Sequence, residues 1–370
     1  MTAAGVVAVA RQEFTVRIRK GRWRWLLAAW FLVLLGLTTL LRVALTHAGE
    51  DVQPYRGAVM YGGLMLLVLS IALLVAPALT AQSVNGDRER GTLATLQVTR
   101  LRPLEITLGK FAAAWGTMLV FLALTAPLVV WCAAEGGLST SSVLVVTLVM
   151  AVLLGTVCAL SLGFSALLSR STTSGVLSYL AVFSLGVGTV VLFGLSSLIT
   201  QETFTESCAY DAPPAATETV SGFTEFATPA VPGPPSDCTY TSTRVRTDRT
   251  WVLLAPNPFV VLADAAPYHP RCQTFSGGVP QEDRQFCDAG LDPLGGIGRS
   301  VRDLRSPYDD MPRGSTTYSA INIDNDLRRS KAVWPTGLAM NLVLGVGMLV
   351  VTTRRLRTPS RELPRGQRVA

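Results

Sequence analysis

The sequence is short of charge. Asp, Glu, Lys and Arg make up 15% of its 370 residues, against about a quarter in an ordinary soluble domain. The shortfall is uneven: long stretches between positions 25 and 200 carry almost no charge, while the remainder is ordinary or polar. A block pattern of this kind suits a lipid bilayer rather than water. Histidine is scarcer still, with only His47 and His269, and both read as surface residues. No G-x-S-x-G nucleophile motif occurs, and with so few acid–base groups a membrane-embedded enzyme is disfavoured. No G-x-x-x-x-G-K-[ST] phosphate loop occurs either, so the chain does not bind ATP in the P-loop manner. The absence of N-x-[ST] leaves sidedness without a glycosylation marker. C-x-x-C is also missing, which speaks against a metal site built on His269, Cys272 and Cys287. The acidic pairs Asp309-Asp310 and Asp324/Asp326 fit a solvated loop.

What is present is apolar length. A helix crosses the ~30 Å hydrocarbon layer with about 20 mainly apolar residues. Six segments qualify: Trp25–Leu41, Gly57–Ala81, Phe111–Ala134, Val143–Leu168, Gly175–Thr200 and Ala332–Thr353. The first is the shortest, and Arg42 is expected to lengthen it by snorkelling outward. It is too long for a removed signal peptide and lacks a small-residue cleavage site. Gly62-Gly63, Gly155, Gly186, Gly188, Gly345 and Gly347 lie inside the spans, where small residues let backbones approach. The span interiors hold no Asp, Glu, Lys, Arg or His, Arg42 and Glu135 lying at edges. That argues against a proton-coupled carrier, which commonly keeps an ionisable group at mid-bilayer.

Orientation follows from the basic residues. With the N-terminus inside, the inner pieces 1–24, 82–110, 169–173 and 354–370 hold 18 of the 32 Lys and Arg but 5 of the 25 Asp and Glu. This is the positive-inside pattern. The expected fold class is therefore an all-α integral membrane protein of six transmembrane helices. Both termini are cytoplasmic, and a large extracytoplasmic insertion separates spans 5 and 6. The organisation reads as a basic amphipathic helix over 1–24, five spans over 25–200 with a cytoplasmic loop at 82–110, the outer segment 201–331, the sixth span 332–353 and a basic tail 354–370. A seventh span at Trp251–Ala266 is rejected, because Pro256-Asn257-Pro258 would leave backbone groups unpaired in lipid. It reads instead as a re-entrant or surface helix on the outer side.

Four of the six cysteines, Cys208, Cys238, Cys272 and Cys287, lie in the outer segment, and none lies in the inner pieces. An even number in one polar segment fits disulfides in an oxidising compartment. Cys208–Cys238 with Cys272–Cys287 is one of three connectivities. Residues 211–236, rich in Pro, Thr and Ala, read as a loose connector.

The loop Asn85–Phe111, NGDRERGTLATLQVTRLRPLEITLGKF, places leucines at 93, 96, 101, 104 and 108 with a break at Pro103. The spacing suggests two short amphipathic helices on the inner face, with Asp87, Arg88, Glu89 and Arg90 turned to the cytoplasm. A plain solvated connector accounts for the same pattern. The run D-R-E-R-G-T-L-x-x-L, followed by Arg102-Pro103 and Leu108-Gly109-Lys110, resembles the loop of the type-2 ATP-binding-cassette (ABC-2) exporter permeases. The basic segment Arg11–Trp25, the six-span plan and the APNPF stretch before the last span resemble that family too.

The resemblance implies that Asp87, Arg88, Glu89, Arg90, Gly91, Thr92, Leu93 and Leu96 couple the membrane helices to a separate cytoplasmic ABC ATPase subunit. ATP and Mg would sit on that subunit, with no cofactor in this chain. It also implies a second permease copy or a paralogue, contact with membrane lipid, and location in the cell membrane as a multi-pass protein; nucleic acid is not a partner, since the basic residues flank spans rather than forming a stripe. An ATP-driven exporter of apolar or amphipathic cargo is one reading. A membrane-anchored receptor or assembly factor acting through the outer segment is the other.

Overall fold

A computed structural model describes residues 3–19, 22–47, 56–89, 102–207, 239–266, 292–305 and 332–356. The described residues are mostly helical: α1 (Ala3–Arg19), α2 (Arg22–Thr46), α3 (Arg56–Thr80), α4 (Asn85–Glu89), α5 (Pro103–Leu124), α6 (Ala126–Ala134), α7 (Thr140–Leu167), α8 (Ser171–Phe183), α9 (Thr189–Ile199), α10 (Thr247–Thr250), α11 (Pro258–Ala265), α12 (Pro293–Arg305) and α13 (Trp334–Leu356). The segment after α9 adds two strands, β1 (Gln201–Ser207) and β2 (Thr239–Val245), paired antiparallel with Gln201 opposite Val245 and Ser207 opposite Thr239. This ribbon departs from the all-α expectation. The alternating threonines of both strands favour an extended, two-faced backbone.

Six helices are long and apolar enough to cross a membrane: Trp23–Thr46, Arg56–Glu89, Pro103–Ala134, Thr140–Leu167, Ser171–Ile199 and Trp334–Leu356. These are spans 1 to 6. Two ends of the bundle can be told apart, a basic end that carries α1 and α4, and a ribbon end that carries β1 and β2. Span 4 (α7) is the most buried and spans 1 and 5 are the most peripheral. The main core joins spans 1 to 4 through Leu34, Met65, Leu69, Phe121, Met150 and Leu154.

Local signals explain the breaks. Span 3 bends where Thr125 turns its hydroxyl to the Leu122 carbonyl and Pro127 enters the first turn of α6, withholding a ladder donor. Ser139 caps α7 by accepting from the Ser142 N–H at 3.1 Å. Span 5 is interrupted by a π-helical turn at Ser184–Gly188. The helix of span 3 begins at Pro103, with the Glu105 carboxylate accepting from the Arg102 N–H at 3.0 Å. Leu104 and Leu108 therefore belong to the transmembrane helix and not to a separate short helix of the loop. Span 1 continues beyond Leu41 to Thr46, and Arg42 does not simply snorkel: its Nε donates to Glu135 at 2.6 Å, with Trp131 beside it.

No seventh span is present among the described residues. Trp251–Leu253 form one 3-10 turn and α11 has only eight residues. The Pro-Asn-Pro backbone is paired within the protein, because Asn341 of span 6 donates to the Pro256 carbonyl at 3.0 Å. Cys208, Cys238, Cys272, Cys287 and His269 lie outside the described residues. Cys132 and Cys158 are free and buried.

Candidate functional site

The basic end is built around one buried cation. Lys110, in the second turn of α5, is 1% exposed. Its ammonium has three N–H groups and three acceptors, the carboxylates of Glu13 and Asp87 and the Ser83 carbonyl at 3.1 Å. A lone ammonium at such a place costs several kcal/mol. Three elements are committed by its pairing: α1 through Glu13, the α3–α4 junction through Ser83 and Asp87, and span 3 through Lys110 itself.

α1 reaches this position because its side chains at spacings of four share a face. Gly5 and Val9 are buried there, followed by Glu13 and Arg17. The helix crosses α5 at Gly109, where an added Cβ would fall 2.6 Å from Val9. One turn beyond Glu13, Arg17 enters the bundle and donates to the Thr117 hydroxyl of span 3 at 3.3 Å. Burial holds the Arg17 guanidinium below its ordinary pKa, with the Glu13 carboxylate opposing the shift. α1 is thus docked on the bundle, and its Glu13 is one of the two carboxylates that hold Lys110.

Asp87, Arg88 and Glu89 do not all turn outward as the sequence suggests. Asp87 points inward to Lys110. Arg88 is exposed and its guanidinium approaches the Asn85 side-chain oxygen and the Leu168 carbonyl, both at 3.5 Å. The Glu89 carboxylate accepts from the Ser171 N–H at 3.3 Å, at the first turn of span 5. Negative charge at a helix N-terminus is favourable. The three residues tie the end of span 2 to spans 3, 4 and 5. Arg90, Gly91, Thr92, Leu93 and Leu96 lie outside the described residues. In the sequence they stand between Asp87 and the helix that carries Lys110.

The sequence did not mark Glu13 and Arg17 as members of this site, and it gave Lys110 only as the end of the loop run Leu108-Gly109-Lys110. The available signal was that Glu13 is the sole acidic residue among positions 1–24 and stands four residues before Arg17.

The ribbon end has its own polar centre. Asp264 is 1% exposed. It accepts from Arg302 Nε of α12 at 2.5 Å and from the Val333 and Trp334 N–H groups at 2.6 and 2.7 Å, at the start of span 6. Asn257 caps α11 by accepting from the Phe259 N–H at 2.9 Å. Among the described residues no group of three or more His, Cys, Asp or Glu is placed to hold a metal ion.

The described residues thus form a bundle of six candidate spans, with α1 packed on its basic end and short helices on the other. The family model of the ABC-2 family transporter proteins matches residues 7–233, more than half of the chain. The chain belongs to the ABC-2 transporter family and is a multi-pass membrane permease of an ABC transporter. The match extends into the segment after span 5 and leaves out span 6. No curated protein matches the chain. In such a family an ABC ATPase is the general partner.

Proposed function

We propose that the chain is the membrane-spanning subunit of an ATP-driven exporter, worked by a separate cytoplasmic ATPase subunit that docks on α4 and the segment after it. The basic end faces the cytoplasm in this reading, with both termini there and residues 201–331 outside, as the bias of Lys and Arg favours. Two permeases, identical or paralogous, enclose the pathway. The observation that carries the reading is the Lys110 cluster. It joins Asp87, four residues before Gly91, to span 3 and to α1. A push on the Glu89–Leu96 segment therefore moves spans 2 and 3 and the N-terminal helix as one body.

The test is co-purification from native membranes followed by mass spectrometry. A stoichiometric subunit with a phosphate loop is expected, its ATPase activity uncoupled by Glu89→Ala or Gly91→Pro while insertion is retained. Recovery of the chain alone, without ATPase activity, sinks the reading and favours a receptor acting through the outer segment. Full transport in both variants sinks the coupling role alone.

A further inference from the structure

The basic end contains polar groups that no charge pair explains. Ser83 Oγ, Asn85 Nδ2 and Ser161 Oγ are buried and make no hydrogen bond among the described residues. Ser83 and Asn85 flank Val84 at the α3–α4 junction, and Ser161 stands one helical turn from Ser165, which bonds that junction. Ser165 Oγ of span 4 accepts from the N–H groups of Val84 and Asn85 at 3.0 and 3.2 Å, which fixes the α3–α4 junction against α7. Ser161 stands one turn before Ser165, and Cys158 stands three residues before Ser161, so the three share one face of α7. Cys158, Ser161 and Ser165 are all 0% exposed. Arg17, on α1, lies near enough to Cys158 to interact with it electrostatically. With Lys110 bonded to the Ser83 carbonyl and Arg17 to Thr117, four elements close a ring: α1, α5, the α3–α4 junction and α7.

Unpaired buried hydroxyl and amide groups are rare in folded proteins, and each calls for a partner. Buried water commonly makes about three hydrogen bonds to such groups. Two hydroxyls and an amide nitrogen supply the donors and acceptors that water needs. An apolar occupant would leave all three unsatisfied.

We propose that the ring between α1, α5, the α3–α4 junction and α7 holds a buried water cluster, ligated by Ser83, Asn85 and Ser161 and bordered by Arg17 and Cys158. The water gives the charges at this end a polar medium. Glu13, Asp87 and Lys110 thereby stay paired beside water rather than against hydrocarbon. The inference stands whether or not an ATPase subunit docks.

Hydroxyl-radical footprinting by X-ray radiolysis of the purified full-length chain in lipid nanodiscs tests it. Radicals form from bound water and oxidise the nearest sulfur. The chain carries its own control, because Cys132 is equally free and buried but stands near the ribbon end of span 3. The expected result is oxidation of Cys158 several-fold faster than of Cys132. In Ser83→Ala/Ser161→Ala the rate at Cys158 falls toward that of Cys132. Oxidation of Cys158 no faster than Cys132 overturns the proposal, and so does an unchanged rate in a folded double variant. If the double variant does not fold, the comparison of the two cysteines in the unaltered chain decides.

Discussion

The side-chain amide of Asn257 donates to the Gly186 carbonyl at 2.7 Å, joining the short helix α11 to the π-helical turn of span 5. A π turn leaves carbonyls out of step with the helical ladder, and such turns cluster at functional places. The same amide bonds Thr189 at 2.9 Å, while the Asn257 oxygen caps α11. One buried residue thus holds an element that the sequence marked as unable to cross the membrane. Asn257→Ala removes the cap, worth about 1 kcal/mol, and strands the carbonyl, at about 1–3 kcal/mol more. Faster amide hydrogen exchange over Gly186–Thr189 is the expected readout. Unchanged exchange there would show that the contact does not constrain the π turn.

Lys110→Met removes the ammonium that Glu13 and Asp87 share. Breaking a buried pair from one side costs about 3–5 kcal/mol. The apparent melting temperature in detergent should fall accordingly. Lys110→Met combined with Glu13→Gln and Asp87→Asn should recover part of the loss, since the two carboxylates that the ammonium held together are then neutral. A triple variant no more stable than Lys110→Met would contradict the assigned pairing.

At the ribbon end, Asp264→Ala removes the acceptor for Arg302 and for two N–H groups that open span 6. The expected cost is about 3–5 kcal/mol, because the Arg302 guanidinium loses the carboxylate it bonds and two buried N–H groups lose their acceptor. Limited proteolysis should then cut the 292–305 region faster, while the basic end is unaffected. Arg302→Ala should be milder than Asp264→Ala, since two of the three bonds to Asp264 survive. The reverse order would remove Asp264 from the centre of this cap.

Two glycines in span contacts differ in what surrounds them. A Cβ at Gly337 would lie 2.0 Å from the Ala255 carbonyl oxygen, which is backbone. At Gly163 it would lie 2.6 Å from Met348 Cε, which can turn aside, and 2.8 Å from Met348 Cβ, a milder crowding than at Gly337. Overpacking typically costs about 1–3 kcal/mol. Gly337→Ala should therefore destabilise more than Gly163→Ala in a paired melting measurement. Equal losses would mean that span 6 does not approach Ala255 as closely.

The stem of the ribbon is expected to respond to acid. The Arg246 guanidinium bonded to Asp248 holds that carboxyl below its ordinary pKa. A depressed carboxylate contributes stability above its unfolded pKa and loses it as pH falls through the lower folded value. Exchange of amides at Thr247–Thr250 should quicken below the ordinary carboxylate range, not between pH 6 and 8. These groups are near the surface, so added salt should weaken the effect. In Asp248→Asn this acid dependence should shrink, and an unchanged profile would assign it to another group.

The sequence alone determined the class of the protein and its six spans. Runs such as Val143–Leu168 have no low-energy place outside a bilayer or a core, and their length admits a helix that crosses. It also carried the family, through the Asp87–Leu96 run, and it excluded a seventh span through Pro256-Asn257-Pro258. Tertiary structure alone decided where the charges go. Arg17 reads as one of several basic residues before a span; Glu13 four residues ahead singles it out, but only packing brings it to Thr117. Asp87 and Glu13 are 74 positions apart, and only the packing of α1 on α5 brings both carboxylates to Lys110. Hydrophobic length is a local property of the chain, summed residue by residue against the bilayer. The pairing of buried charges is a property of contacts between distant segments, and it exists only once the helices have packed.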